Sequence, residues 1–143
     1  ARMQELPSEA FSLNKTTKLW LDGGHNEDAG KAISSTLKEL KKDGSVAVIL
    51  CMMKHKDPNT FVKQFVNNCD EIYATQLPNE PASLSSEELS SLLSEISHKK
   101  ASDYKEALGQ AKTSNPAHIL ITGSLYLAGH VLQDLENMGH NEL

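Results

Sequence analysis

The chain has 143 residues, 38% hydrophobic and 23% charged, which suits one globular domain with a core of its own, residues 1–143. Its formal net charge of −5 argues against a general nucleic-acid surface. No apolar run approaches the roughly 20 residues that span a bilayer, so no membrane contact is expected. No apolar segment follows Ala1-Arg2-Met3-Gln4-Glu5, so no secretory signal is read there. The two cysteines, Cys51 and Cys69, are read as reduced packing thiols of a cytoplasmic protein.

In chain order, residues 1–18 read as an irregular lead-in, with Ala10–Leu13 expected as a short edge strand and Asn14–Lys18 as a turn. Leu19-Trp20-Leu21 is a short apolar run typical of a strand covered on both faces. Asp22 brings a carboxylate to its end, and Gly23-Gly24 permit a tight turn and close approach of another molecule. Asn26 is a good N-cap, and Glu27 and Asp28 suit the partly positive start of a helix. That helix is predicted over Glu27–Lys42, with Ala29, Ile33, Leu37 and Leu40 on one face and Gly44 as its C-cap.

Val46–Leu50 reads as a central parallel strand and Cys51–Lys56 as the loop at its end. Asp57-Pro58 opens a helix, with Asp57 read as a cap rather than a catalyst. Phe61 and Phe65, one turn apart, should face the sheet. Glu71–Thr75 is a third strand, followed by a Pro-containing loop. Ser85 and Glu88 form a capping-box pattern before a stripe of Leu89, Leu92, Leu93 and Ile96. A short strand is expected near Lys99–Ala101, then a helix capped by Ser102 and broken at Thr113–Pro116. Ala117–Thr122 is the last strand. The last helix runs from Leu125 to Asn137, with Leu125, Ala128, Val131, Leu132 and Leu135 apolar and Gly139 at its end. Trp20 and Tyr126 are read as core residues.

This alternation predicts an α/β, Rossmann-like domain, a mostly parallel sheet of about six strands flanked by helices. Parallel strands put their carboxyl ends on one side. That gathers Asp22–Asn26, Lys54–Asp57 and Gly123-Ser124: a carboxylate, an imidazole, cations, a hydroxyl and helix amino ends. Such a set suits a polar, anionic ligand, because helix starts and glycine turns present backbone N–H groups to phosphate or carboxylate. The sequence carries neither Gly-x-x-x-x-Gly-Lys-Ser/Thr nor Gly-x-Gly-x-x-Gly, no dense acidic cluster for magnesium and no zinc spacing. By its chemistry it is half a site.

Asp22-Gly23-Gly24-His25-Asn26 after a hydrophobic strand resembles the Asp-Gly-Ala-His-Asn signature of folylpolyglutamate and dihydrofolate synthases, ATP-dependent ligases of the Mur ligase superfamily. Three further stretches agree in order and rough spacing. Ala1-Arg2-Met3-Gln4 is similar to the segment before the signature, Lys56-Asp57-Pro58 to the family's Lys-Asp turn, and Thr122–Gly129 to its last strand and helix start. The chain begins within one of these motifs and without Met, so a piece of a longer protein is expected.

The resemblance implies the C-terminal domain of such a ligase, inactive in isolation. Its partner would be its own N-terminal ATPase domain, which supplies the phosphate loop and the Mg2+ ligands, so no metal ligand is expected here. The whole enzyme would take ATP, form an acyl phosphate on the pterin substrate and join L-glutamate to a folate, or to dihydropteroate, as a monomer. Asp22 and Arg2 match residues that contact ATP. His25, the one candidate catalytic residue, matches the signature His near ATP and the incoming glutamate. Ser124 either lies on the glutamate side or only caps the last helix. Glu27 stands where the family has Pro, Gly24 where it has Ala, and Ala1 where it has Gly. The alternatives are another Mur-type amino-acid ligase, such as one acting on a peptidoglycan precursor, or a non-catalytic Rossmann-like binding module.

Overall fold

The structure, a computed structural model, describes residues 3–139. Six strands, β1 (Gln4–Leu6), β2 (Lys18–Asp22), β3 (Val46–Leu50), β4 (Glu71–Ala74), β5 (Lys99–Lys100) and β6 (His118–Thr122), form one sheet in the order β1-β2-β6-β3-β4-β5. β1 runs antiparallel to β2, and all other neighbours are parallel. Five helices alternate with the strands: α1 (Glu27–Leu40), α2 (Pro58–Lys63), α3 (Ser86–Leu92), α4 (Tyr104–Lys112) and α5 (Leu125–Asn137).

The central strands β3 and β6 are short and buried throughout because both faces are covered, whereas the edge strands β1 and β5 carry exposed polar residues. Along β3, Ala47 and Ile49 join one core with α4 and α5, while Val46, Val48 and Leu50 join the other with α1, α2 and α3. β6 divides the same way, with Ile119 and Ile121 on the first side and Leu120 on the second. Gly30 lets α1 and α2 meet: a Cβ there would lie 2.7 Å from the Phe61 carbonyl oxygen. Phe61 and Phe65, in edge-on contact at 5.1 Å, fill the space beneath.

Most expected elements stand where the patterning put them, including the Asp57–Pro58 start of α2 and the Ser85–Glu88 capping box of α3. Four expectations are corrected. The edge strand is Gln4–Leu6, and Ser8–Phe11 forms a 3-10 turn instead. α1 tightens into a 3-10 turn over Lys41–Asp43 before Gly44. Asp103, not Ser102, caps α4, accepting from Glu106 N–H, while Ser102 N–H donates to the Glu106 carboxylate. Tyr126 is not core: it is 59% exposed.

Trp20 is half-buried and anchored at the far end of the sheet. Its Nε1–H donates to His118 Nδ1 at 3.0 Å, and His118 Nε2 meets Asp43 Oδ2 at 2.8 Å. An indole N–H only donates, so His118 Nδ1 is the acceptor and Nε2 carries the proton toward Asp43. This ties the end of α1 to β2 and β6.

Candidate functional site at the carboxyl ends of β2, β6 and β3

β6 lies between β2 and β3, so the loops leaving these three strands are neighbours. The helices after β2 and β3 pack on one face of the sheet and the helix after β6 on the other. Such a divergence opens a crevice at the strand ends, where ligands bind in open α/β sheets.

Asp22 ends β2 almost fully buried, and its Oδ1 accepts a 2.7 Å hydrogen bond from Gly24 N–H. Burial pushes its carboxyl above the ordinary carboxylate range, and the Gly24 hydrogen bond pulls it back. Gly24 has no room for a side chain, since a Cβ would sit 2.7 Å from Ala29 Cβ and 2.9 Å from Asp22 Oδ1. Its carbonyl faces Thr122 Oγ1 of β6 at 3.5 Å. Asn26 then accepts from Ala29 N–H and starts α1.

His25 Nδ1 lies 3.2 Å from the Gly23 carbonyl oxygen. A carbonyl only accepts, so Nδ1 is the donor and Nε2 is the ring atom left for a ligand. After β6, Gly123 turns the chain at φ +120°, where a Cβ would lie 2.3 Å from the Cys51 carbonyl oxygen. Ser124 caps α5, its Oγ accepting from Tyr126 and Leu127 N–H at 3.0 and 3.3 Å. Its hydroxyl proton remains the group that can be given elsewhere.

His25, Met53, His55, Lys56, Gly123, Ser124, Leu125 and Tyr126 line a cavity of about 260 Å³. None of them is acidic. A smaller depression beside it joins His25, His55 and Lys56 to the first turns of α1 and α2. The site therefore unites His25, Lys56 and Ser124 as expected. Asp22 braces the turn beneath them and does not line the cavity. Asp57 caps α2 through Thr60. Lys54 turns to a separate groove with Gln76, Glu80 and Glu88. Arg2 lies outside the described residues. Among the described residues no group of three or more His, Cys, Asp or Glu gathers as a metal site.

From the sequence, Met53 has no role, His55 lies in the gathered Lys54–Asp57 loop without one, and Leu125 and Tyr126 are read on the apolar side of the last helix. The last two were legible in principle. Leu127, Val131 and Leu135 form the buried stripe of α5 at intervals of four, and Tyr126, one position off, is rotated about 100° from it.

Fold and site define a Rossmann-like α/β domain with a crevice at its strand ends, lined by Lys56, two histidines and Ser124 and by no carboxylate. The family model described as "Dihydrofolate synthetase, C-terminal domain" matches residues 8–134, and the chain belongs to that family. It is 28% identical over 134 residues to a dihydrofolate synthase/folylpolyglutamate synthase of Bacillus subtilis, covering 91% of this chain and 30% of the relative. It is 27% identical over 130 residues to a folylpolyglutamate synthase of Lacticaseibacillus casei, covering 90% and 29%. Among solved structures it is similar to a bifunctional folylpolyglutamate synthase/dihydrofolate synthase of Yersinia pestis complexed with AMPPNP and a Mn ion. That match has TM-score 0.74 and 25% identity, covering 88% of this chain and 30% of the other. The fold also matches E. coli FolC in complex with DHPP and ADP, with TM-score 0.75 and 22% identity over 90% and 31% of the two chains. The chain thus spans about 30% of the length of the relatives it matches.

Proposed function

We propose that this chain is the C-terminal domain of an ATP-dependent ligase that adds L-glutamate to a folate, and in a bifunctional parent also to dihydropteroate. The observation that carries the reading is the meeting of the Asp22–Asn26 turn, Lys56 and Gly123-Ser124 at one sheet edge, in a chain of this family. The catalytic partner is the remainder of the parent, an N-terminal ATPase domain, and the parent acts as a cytoplasmic monomer.

The residues present fit part of a nucleotide and an amino acid. The cavity lining carries Lys56 and two histidines and no carboxylate, which suits an anionic ligand, while Glu27 and Asp57 stand at the adjoining depression. At about 260 Å³ it is slightly below the roughly 300–1,000 Å³ of complete small-molecule pockets, as expected of one wall. When bound, ATP supplies the phosphoryl group that activates the acceptor carboxylate. Arg2 and Asp22 would hold the nucleotide, Asp22 from the turn beneath the cavity through the carboxylate oxygen that Gly24 N–H does not occupy. Nε2 of His25 would accept a hydrogen bond from the incoming amine, and the Ser124 hydroxyl would donate one to a glutamate oxygen. The Mg2+ ligands would lie in the remainder of the parent.

The test incubates the parent protein with ATP, magnesium and L-glutamate, offers dihydropteroate or tetrahydrofolate in turn, and reads glutamylated product by mass. Product with both substrates means a bifunctional enzyme, and product with one names the activity. No product from folded parent returns the assignment to a peptidoglycan-type ligase or to a non-catalytic binding module.

A further inference from the structure

Lys105, Gly109 and Lys112 stand at positions i, i+4 and i+7 of α4 and so share one stripe of that helix. It is not the stripe of Tyr104, Ala107, Leu108 and Ala111, which is buried. A cation, a gap and a second cation therefore follow one another over roughly 10 Å of helix. Facing them are the end of the Ser8–Phe11 turn and Met138, just past α5. Between these elements runs a groove of about 320 Å³, with Phe11, Leu13, Leu108 and Met138 as its apolar surface. Among the described residues, the two lysines are the only charged ones that line it. The groove lies near the opposite end of α5 from the strand-end crevice, roughly 20 Å along the helix.

Gly109 keeps this groove open. A glycine inside a helix costs about 1 kcal/mol against alanine. Here neither backbone nor packing asks for one: its φ is not left-handed, and a Cβ would meet nothing within 4 Å. A larger side chain would project into the space between the lysines. Both lysines keep donors to give. Lys112 Nζ uses one of its three N–H groups on the Ser12 carbonyl at 2.7 Å. Lys105 Nζ is 3.6 Å from Asp134 Oδ2, an oxygen that already accepts from the Tyr104 hydroxyl at 2.6 Å.

We infer that this groove is a second ligand site, for a small amphipathic carboxylate. The ring or alkyl body lies on Phe11, Leu13, Leu108 and Met138, and the carboxylate sits between Lys105 and Lys112. Charge complementarity selects the head group: on a chain of net charge −5, two lysines without a lining carboxylate are a local reversal of sign. The apolar surface selects the body, since a bare inorganic anion would leave it uncovered. The volume is at the lower end of the roughly 300–1,000 Å³ of small-molecule pockets, which limits the ligand to a small one. The glutamylation chemistry proposed above makes no use of this face, so the two readings stand or fall separately.

The test labels the methionine methyls of the parent protein with carbon-13 and titrates 1-naphthoate. It follows the Met138 signal, assigned by its loss in Met138→Leu, with Met53 of the crevice as internal control. A saturable shift of Met138 that leaves Met53 in place is expected. The neutral counterpart, 1-naphthalenemethanol, should bind about tenfold more weakly, and so should 1-naphthoate to Lys105→Gln or Lys112→Gln. Gly109→Leu should abolish the shift while the melting temperature holds or rises. If that variant does not fold, the lysine variants and the neutral compound decide. No shift at Met138, a shift at Met53 alone, equal binding of the neutral compound, or binding that survives Gly109→Leu overturns the inference. A Met138 signal that moves with protein concentration alone also overturns it and gives the groove to a second copy.

Discussion

Burial raises the Asp22 carboxyl pKa and the Gly24 N–H opposes that rise, so the sign of its linkage to stability is fixed. A carboxyl raised on folding favours the folded state below its unfolded value, near 3.9, and loses that contribution as pH climbs through the folded value. Asp22→Asn, which keeps an oxygen for Gly24, should therefore be more stable than the natural protein at pH 7 by urea denaturation. The difference should vanish toward pH 3. In the parent the same variant, like Asp22→Ala, should weaken ATP use while the domain stays folded; unchanged ATP kinetics would remove Asp22 from the site. A second prediction concerns Gly24. Its Cβ would meet Ala29 Cβ at 2.7 Å, so Gly24→Ala should cost about 1–3 kcal/mol. In a double-mutant cycle with Ala29→Gly, part of that cost should return as a coupling of about 1 kcal/mol. In the sequence Gly23-Gly24 permits a tight turn, and in the structure neither glycine takes a left-handed φ. The sequence carried no sign that Ala29, five residues on, fills the space a Gly24 side chain would need.

Caps and periodicity act on whole elements. Ser124→Ala removes the acceptor of two α5 amides and should cost about 1 kcal/mol of unfolding free energy. In the parent, a rise in KM for glutamate beyond this stability loss would show a ligand role in addition to the cap. Gly109 in α4 and Gly129 in α5 have nothing within 4 Å of an added Cβ. Each Gly→Ala change there should stabilise by up to about 1 kcal/mol, whereas Gly123→Ala, at φ +120° against the Cys51 carbonyl, should cost several times more. Thermal melts read all three. Element identity was legible because buried strands and amphipathic helices leave clear periods: β3, β6, α2 and α5 fell where their patterns put them. The faces were less legible. Leu92 and Leu125 were assigned to apolar stripes that Leu89 and Leu93, and Leu127 and Val131, already complete. Side-chain type alone does not separate a stripe from its neighbour 100° away. The Ser102 and Asp103 caps are likewise one residue apart, and only the geometry of the Glu106 amide decides between them.

For the whole molecule, the isolated chain should fold cooperatively around its two cores and show no glutamylation, with circular dichroism and the mass assay as readouts. The gathering of three loops at one edge followed from a parallel sheet, so that much of the site was visible in advance. The order of strands was not. Nothing in a list of elements says that the last strand enters between β2 and β3, or that His118 there meets Trp20 and Asp43, 98 and 75 positions away. These are pairings between distant parts of the chain, and no local pattern encodes them. Arg2 could be placed only by resemblance.

The central position of β6 also sets an order of events during synthesis. β2 pairs with β6, Lys18 against His118 and Asp22 against Thr122, across about a hundred intervening residues. A nascent chain that has released β1 to β5 from the ribosome holds two sheet fragments, β1-β2 and β3-β4-β5, each with an open hydrogen-bonding edge toward the gap. Those edges wait until His118–Thr122 emerges. Closing the gap is a long-range step and therefore a slow one, and the Asp22 turn and the Ser124 cap become neighbours only when it is done. A chain arrested before residue 118 should therefore be prone to aggregation and be held by chaperones, while one arrested after α5 has cleared the exit tunnel should resist proteolysis.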